Sequence, residues 1–117
     1  MSILYNKKNL NDEVVEVDGD ATVQWPEGDS KVVFLTEADV TAVTLPTPVS
    51  GNDDGKAITF ISTTAQAHTV TCATIGFNAG NAAGDVGTFG AAIGNGFTCF
   101  AYGGEVYTTN VTNVTFA

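Results

Sequence analysis

Between Val43 and Cys72 the chain reads VTLPTPVSGNDDGKAITFISTTAQAHTVTC, and this stretch narrows the folds open to the rest. Pro46 and Pro48 lack the amide that a strand ladder needs, so they end the Ala42–Leu45 run. Gly51 to Gly55 supply a sharp reversal, where Asn52, Asp53 and Asp54 tolerate turn geometry. Lys56–Ser62 then alternates, with Ile58 and Phe60 on one face and Thr59 and Ile61 on the other. His68–Ile75 alternates again, Val70 and Cys72 opposite Thr69 and Thr71. Strand, tight turn, strand, polar loop, strand predicts an antiparallel β unit.

The flanking segments have the same texture. Glu13–Val17 reads as a short strand, joined through Asp18-Gly19-Asp20 to Ala21–Trp25 as a hairpin. Lys31–Thr36 (KVVFLT) is apolar on both faces, the pattern of a central strand covered on both sides. Glu37-Ala38-Asp39 is a brief connection with room for one helical turn, and Val40–Leu45 is the next strand. From Gly76 to Gly96 the chain is rich in Gly, Ala and Asn, an exposed or partner-ordered loop interrupted by a strand near Val86–Ala92 with Phe89 inward. Phe97–Tyr102 and Glu105–Thr109 flank Gly103-Gly104 as a hairpin, and Asn110–Ala117 is a last strand or tail. Roughly eight to ten short strands and no amphipathic helix predict an all-β fold: a small antiparallel β-sandwich, jelly-roll-like, over residues 13–117. Residues 1–12 read as a flexible N-terminal arm, either a free terminus or one that orders on a neighbouring subunit through Ile3, Leu4 and Tyr5.

Charge excludes some functions. Four Lys, no Arg and thirteen acids give a formal charge of −9 in 117 residues, room for one modest core. Nucleic-acid binding needs cations to replace phosphate counterions, and attraction to an anionic membrane needs them too. Eleven acids lie at or before Asp54, with only Asp85 and Glu105 beyond it. That acidity serves solubility or docks onto a basic partner surface. MSILYNKKNL places its lysines after a short apolar patch, the wrong order for a secretory signal, so the chain reads as made in a cytoplasm with Cys72 and Cys99 as thiols.

Candidate chemistry is sparse, and no catalytic, cofactor-binding or metal-ligating residues are assigned. His68 is the sole histidine and sits at a strand entry, where a surface or half-buried role is ordinary. No serine has a nucleophile-elbow context. Cys72 and Cys99, read as neighbours on adjacent strands, fall short of a zinc site even with His68. Asp18 with Asp20, or Asp53 with Asp54, offers oxygen ligands to a hard cation, though acidic turns are usually just solvated. Trp25 with Tyr5, Tyr102 and Tyr107 reads as core or subunit contact, or as a sugar-stacking platform.

The central stretch resembles virion β-domains of tailed bacteriophages: capsid-decoration proteins, head fibres and tail-fibre domains. The matching positions are Val43, Thr44, Leu45 and Pro46, then Gly51 and Gly55, then Ile58, Phe60, His68 and Val70, and finally Gly103, Gly104 and Tyr107. Tyr107 stands where that family often has tryptophan. The resemblance runs over roughly Ala42–Thr109. It implies a small β-sandwich that forms a homotrimer on a virus particle. The chain is short, begins with methionine and shows no shaft repeats or heptads, so the expectation is a capsid decoration (cement) protein on the capsid exterior, made in the host bacterial cytoplasm. Its partners would be the major capsid protein and itself, with no nucleic acid, membrane or cofactor. Ile3, Leu4, Tyr5, Lys7, Lys8 and Trp25 are the expected capsid or subunit contacts. The alternative is a head-fibre or tail-fibre adhesin domain binding a host surface glycan.

Overall fold

The structure, a computed structural model, describes residues 3–9, 12–80 and 84–117. The regular structure among the described residues is almost all strand, in two sheets. β2 (Asp12–Val17), β4 (Ser30–Leu35) and β6 (Ala57–Ser62) run parallel in the first sheet. β3 (Ala21–Thr22), β5 (Ala42–Thr44) and β7 (Thr69–Thr71) run parallel in the second. The chain therefore crosses between sheets and returns beside its starting point, giving three stacked coils.

The remainder runs antiparallel. β8 (Val86–Phe89) pairs with β7, β9 (Gly96–Tyr102) with β6, β10 (Glu105–Thr112) with β9, and β11 (Val114–Phe116) with β8. Residues Ile3–Asn9 form β1, antiparallel to β2 at the opposite edge. The first sheet is ordered β1-β2-β4-β6-β9-β10 and the second β11-β8-β7-β5-β3.

The all-β expectation holds, but the sheets are mixed where antiparallel pairing was expected. A parallel pair needs a crossover, usually a helix. Here the crossover from β2 to β4 is β3, a strand of the opposite sheet. Asp18-Gly19-Asp20 accordingly carries the chain between sheets and makes no hairpin. β6 and β7 likewise belong to different sheets, and Glu37–Asp39 is a bend without helix. The Gly103-Gly104 hairpin is present, with φ of 60° and 80° at its two glycines. β4 is central, as its two-faced apolar pattern indicated, and Phe89 points inward at 1% exposure.

Parallel register stacks like on like between the sheets. Val15, Val33, Phe60 and Phe97 form one inward row across the first sheet. Ala21, Val43 and Val70 form its counterpart across the second. Phe97 is the hub, its ring 5.3 Å from Phe60, 5.6 Å from Phe77, 6.1 Å from Phe89 and 5.1 Å from Phe116, centroid to centroid. Tilted and edge-to-face aromatic pairs of this kind add roughly 0.5–1.5 kcal/mol each beyond area burial. At one end of the first sheet, Lys31 also points inward, donating to the Gln24 carbonyl, with Glu13 at 4.0 Å.

Candidate interaction surface

The coils sort the acids. Turns from the first sheet to the second carry Asp18, Asp20, Glu37 and Asp39 on one rim; turns running back carry Glu27, Asp29, Asp53 and Asp54 on the other. Most of these carboxylates have structural duties or open solvent. Asp20 Oδ1 accepts the Ala42 amide at 2.9 Å. Asp53 Oδ2 accepts the Val49 amide at 2.7 Å, and its Oδ1 lies 3.1 Å from Lys56 Nζ. Asp54 Oδ1 takes the amides of Gly51 and Gly103, tying the acidic loop to the β9–β10 hairpin. The Val49 amide, ahead of the Lys56 contacts, holds the Asp53 carboxyl below its usual range despite burial. Among the described residues no three His, Cys, Asp or Glu side chains group as a metal site.

The outer face of the second sheet is small and polar. Thr22, Thr44 and Thr71 lie in register, and Ala42, Thr69, Thr88 and Thr115 form the next row. An open groove of about 560 Å³ lies along its β3 edge, lined by Asp20, Ala21, Thr22, Gln24, Ala42 and Thr44.

The outer face of the first sheet is different. Three rows cross it in register: Tyr107, Phe100, Ala57 and Ser30; Thr109, Thr98, Thr59, Val32 and Val14; Ile61, Phe34 and Glu16. No charged side chain stands outward on β4, β6 or β9; Glu16 lies on β2, towards the edge, and Glu105 beside the hairpin turn. Phe100 and Tyr107 are 41% and 43% exposed, and Tyr102 is 67% exposed. Thr59 and Thr98 share a hydroxyl–hydroxyl hydrogen bond of 2.9 Å in the middle row. The two-faced apolar pattern of β4 therefore has one face in the core, through Val33 and Leu35, and one outward, through Val32 and Phe34.

The sequence-derived contact residues fare differently. Ile3, Leu4, Tyr5, Lys7 and Lys8 belong to β1, and their side-chain contacts lie outside the described residues. Trp25 is half-buried against the core, its Nε1–H donating to the Pro46 carbonyl at 2.8 Å. Phe100, Phe34 and Ile61 were not singled out from sequence; alternation puts each on a face of its strand, but only strand order puts Phe34 beside Ile61 and Phe100 two rows along the same face.

His68 is fully buried, which corrects the surface or half-buried reading. Its Nδ1 accepts the Thr41 amide at 3.0 Å, and its Nε2 lies 2.9 Å from Thr64 Oγ1. Burial holds its pKa below the usual value, against a raising influence from Glu37. The ring thus clamps the Glu37–Thr41 and Thr63–Thr64 turns of one rim. Cys72 and Cys99 are buried free thiols on opposite sheets, where adjacent strands had been expected.

No helix among the described residues is long and apolar enough to cross a membrane. No protein-family model, no curated protein and no solved structure matches the chain.

Proposed function

We propose that the chain is a non-enzymatic virion structural protein, a capsid decoration (cement) protein of a tailed phage that binds the outside of the expanded capsid as a homotrimer. The observation that carries this reading is the segregation of charge: the acids of the turns lie on the two rims, while β4, β6 and β9 in the first sheet and the threonine rows of the second present no charge outward. A shell-reinforcing protein needs broad contact surface on a rigid body, and acidic edges suit basic patches on the major capsid protein. The segment that resembles phage virion domains maps onto β5, the Asp53–Asp54 loop, β6, β7 and the β9–β10 hairpin. Such a protein stabilises the shell by binding the expanded lattice better than the unexpanded one. In this reading the edge strand β1, with Ile3, Leu4, Tyr5, Lys7 and Lys8, is offered to the capsid.

Co-sedimentation with expanded, undecorated phage capsids tests it. Saturable binding at a fixed ratio to capsid subunits is expected, and loss of that binding on deleting residues 2–11 would place the arm in the contact. A protein that ignores such capsids overturns the proposal. The exposure of Tyr102, Phe100 and Tyr107 on one hairpin favours a second reading, an adhesin domain for host glycan, which a glycan-binding screen reads directly.

A further inference from the structure

We infer that Asn95-Gly96 is a latent deamidation site, closed by the fold and opened only when β6 and β9 part, and that the modified chain does not regain the native pairing. The inference stands independently of the function proposed above.

The chemistry is intrinsic to the sequence. In an Asn-Gly pair the glycine nitrogen attacks the asparagine Cγ, the side-chain nitrogen leaves as ammonia, and a five-membered succinimide ring closes. Water then opens the ring at either carbonyl, leaving aspartate or isoaspartate. Glycine in the second position favours the attack, because no Cβ hinders its nitrogen and its backbone turns freely. Asn95 is the only asparagine of the chain followed by glycine.

The folded chain withholds the parts of that reaction. Asn95 is 5% exposed, and its Nδ2 donates to the Gly90 carbonyl at 2.7 Å. Its own carbonyl accepts the Ser62 amide, the last of β6, at 2.9 Å, and the Gly94 amide donates back to the Ser62 carbonyl at 2.8 Å. Gly96 is paired with Ile61 of β6 on one side and Thr112 of β10 on the other. There is no slack at this point, since a Cβ on Gly96 would lie 2.0 Å from the Phe60 carbonyl oxygen. Closing the ring turns the Gly96 nitrogen, and the Asn95 carbonyl with it, out of the β6–β9 pairing. The attack therefore waits until these two strands separate.

The products fit no better than the ring. Aspartate replaces the donating amide group with an oxygen that faces the Gly90 carbonyl oxygen, a buried charge without its donor. Isoaspartate routes the main chain through Cβ and Cγ, adding a backbone atom where Asn95 bonds Ser62 and Gly96 pairs with Ile61. A transient opening at this junction is thereby made permanent.

The test ages the full chain in mildly alkaline buffer, folded and in urea, and follows Asn95 by peptide mass spectrometry that separates aspartate from isoaspartate. In urea Asn95 is expected to react ahead of every other asparagine. In the folded chain the reaction is expected to be at least ~100-fold slower, because it is limited by opening. Comparable rates in the two states overturn the inference, as does an unfolded chain that keeps Asn95 while another asparagine reacts. The urea-aged sample is then returned to native buffer, and deamidated chains are separated by their added negative charge. They are expected to lack the cooperative thermal transition of the unmodified fraction, and a deamidated fraction with the same transition overturns the one-way step. N95D, made directly, reads the aspartate product alone: a melting transition equal to that of the unmodified chain overturns that step as well.

Discussion

His68 Nδ1 accepts the backbone N–H of Thr41 at 3.0 Å, and that single bond fixes the state of the ring. A nitrogen that accepts from an amide carries no proton, so the proton sits on Nε2 and is donated to Thr64 Oγ1. Thr64 in turn donates its own hydroxyl proton to the Glu37 carbonyl at 2.7 Å. The chain of donors runs one way, and it requires a neutral imidazole. Protonation would set an Nδ1–H against the Thr41 N–H.

The pH dependence follows from that requirement. Burial lowers the folded-state pKa of His68 from its ordinary value of 6.5, so the unfolded chain binds its proton first as the pH falls. The stabilisation is complete above pH 6.5 and declines as the pH drops through the folded value. Asp53 adds a second window: its folded pKa is also lowered, so its contribution is present above 3.8 and is lost in stronger acid. Replacing His68 with Leu removes the first window and orphans the Thr41 amide, for a cost of about 1–3 kcal/mol at neutral pH. Urea unfolding across a pH series checks both points. A wild-type stability that stays flat from pH 7 to well below 6.5 would sink the argument.

Glycines separate into two kinds by what surrounds them. A Cβ at Gly96, the first residue of β9, would lie 2.0 Å from the Phe60 carbonyl oxygen of β6. Backbone cannot yield as a flexible side chain can, so Gly96→Ala must push the central strands apart. A loss of about 3 kcal/mol or more is expected. Gly51 has φ +84° and no atom within 4 Å of its would-be Cβ. Gly51→Ala pays only for the left-handed backbone, about 1 kcal/mol. Chemical denaturation of the two variants in parallel measures the difference, and similar losses would remove the distinction.

That contrast also shows where sequence reading succeeds and stops. The β9–β10 hairpin is legible because its turn, Gly103-Gly104, and its alternating flanks are local. β4 is legible as a central strand because Val32, Val33, Phe34 and Leu35 leave neither face polar. The coils are hidden because partner choice is not local. β2, β4 and β6 pair across connections of unequal length, so no fixed period marks the repeat. Gly96 reads as one more glycine in a long loop until Phe60 is placed beside it. His68 looks like a strand-entry residue because Thr41, its amide donor, lies 27 positions earlier. The outer face was half visible: alternation puts Phe100 and Tyr102 on one side, but only the strand order puts Phe100 and Tyr107 on the same face as Ile61 and Phe34, across the row of Thr98, Thr59 and Val32.

The two thiols give the last prediction. Cys72 and Cys99 are both 0% exposed and unpaired, and the Cys99 thiol donates to the Ile58 carbonyl at 3.4 Å. Burial pushes the Cys72 pKa up to about 11, with Asp85 and Glu105 adding to it. Burial pushes Cys99 up as well. Since the thiolate is the reactive species, both groups are inert in the folded chain near pH 8. Labelling with a thiol reagent should therefore be silent in native buffer and stoichiometric at both positions in denaturant, with native labelling limited by opening of the core between the two sheets. The linkage has the opposite sense to that of His68. Folded thiols with raised pKa values contribute fully below the ordinary value of 9.0, and that contribution is lost as the pH rises through about 11 for Cys72. Mass spectrometry of timed labelling decides it: one cysteine modified rapidly in the native state would show that its side of the core is open.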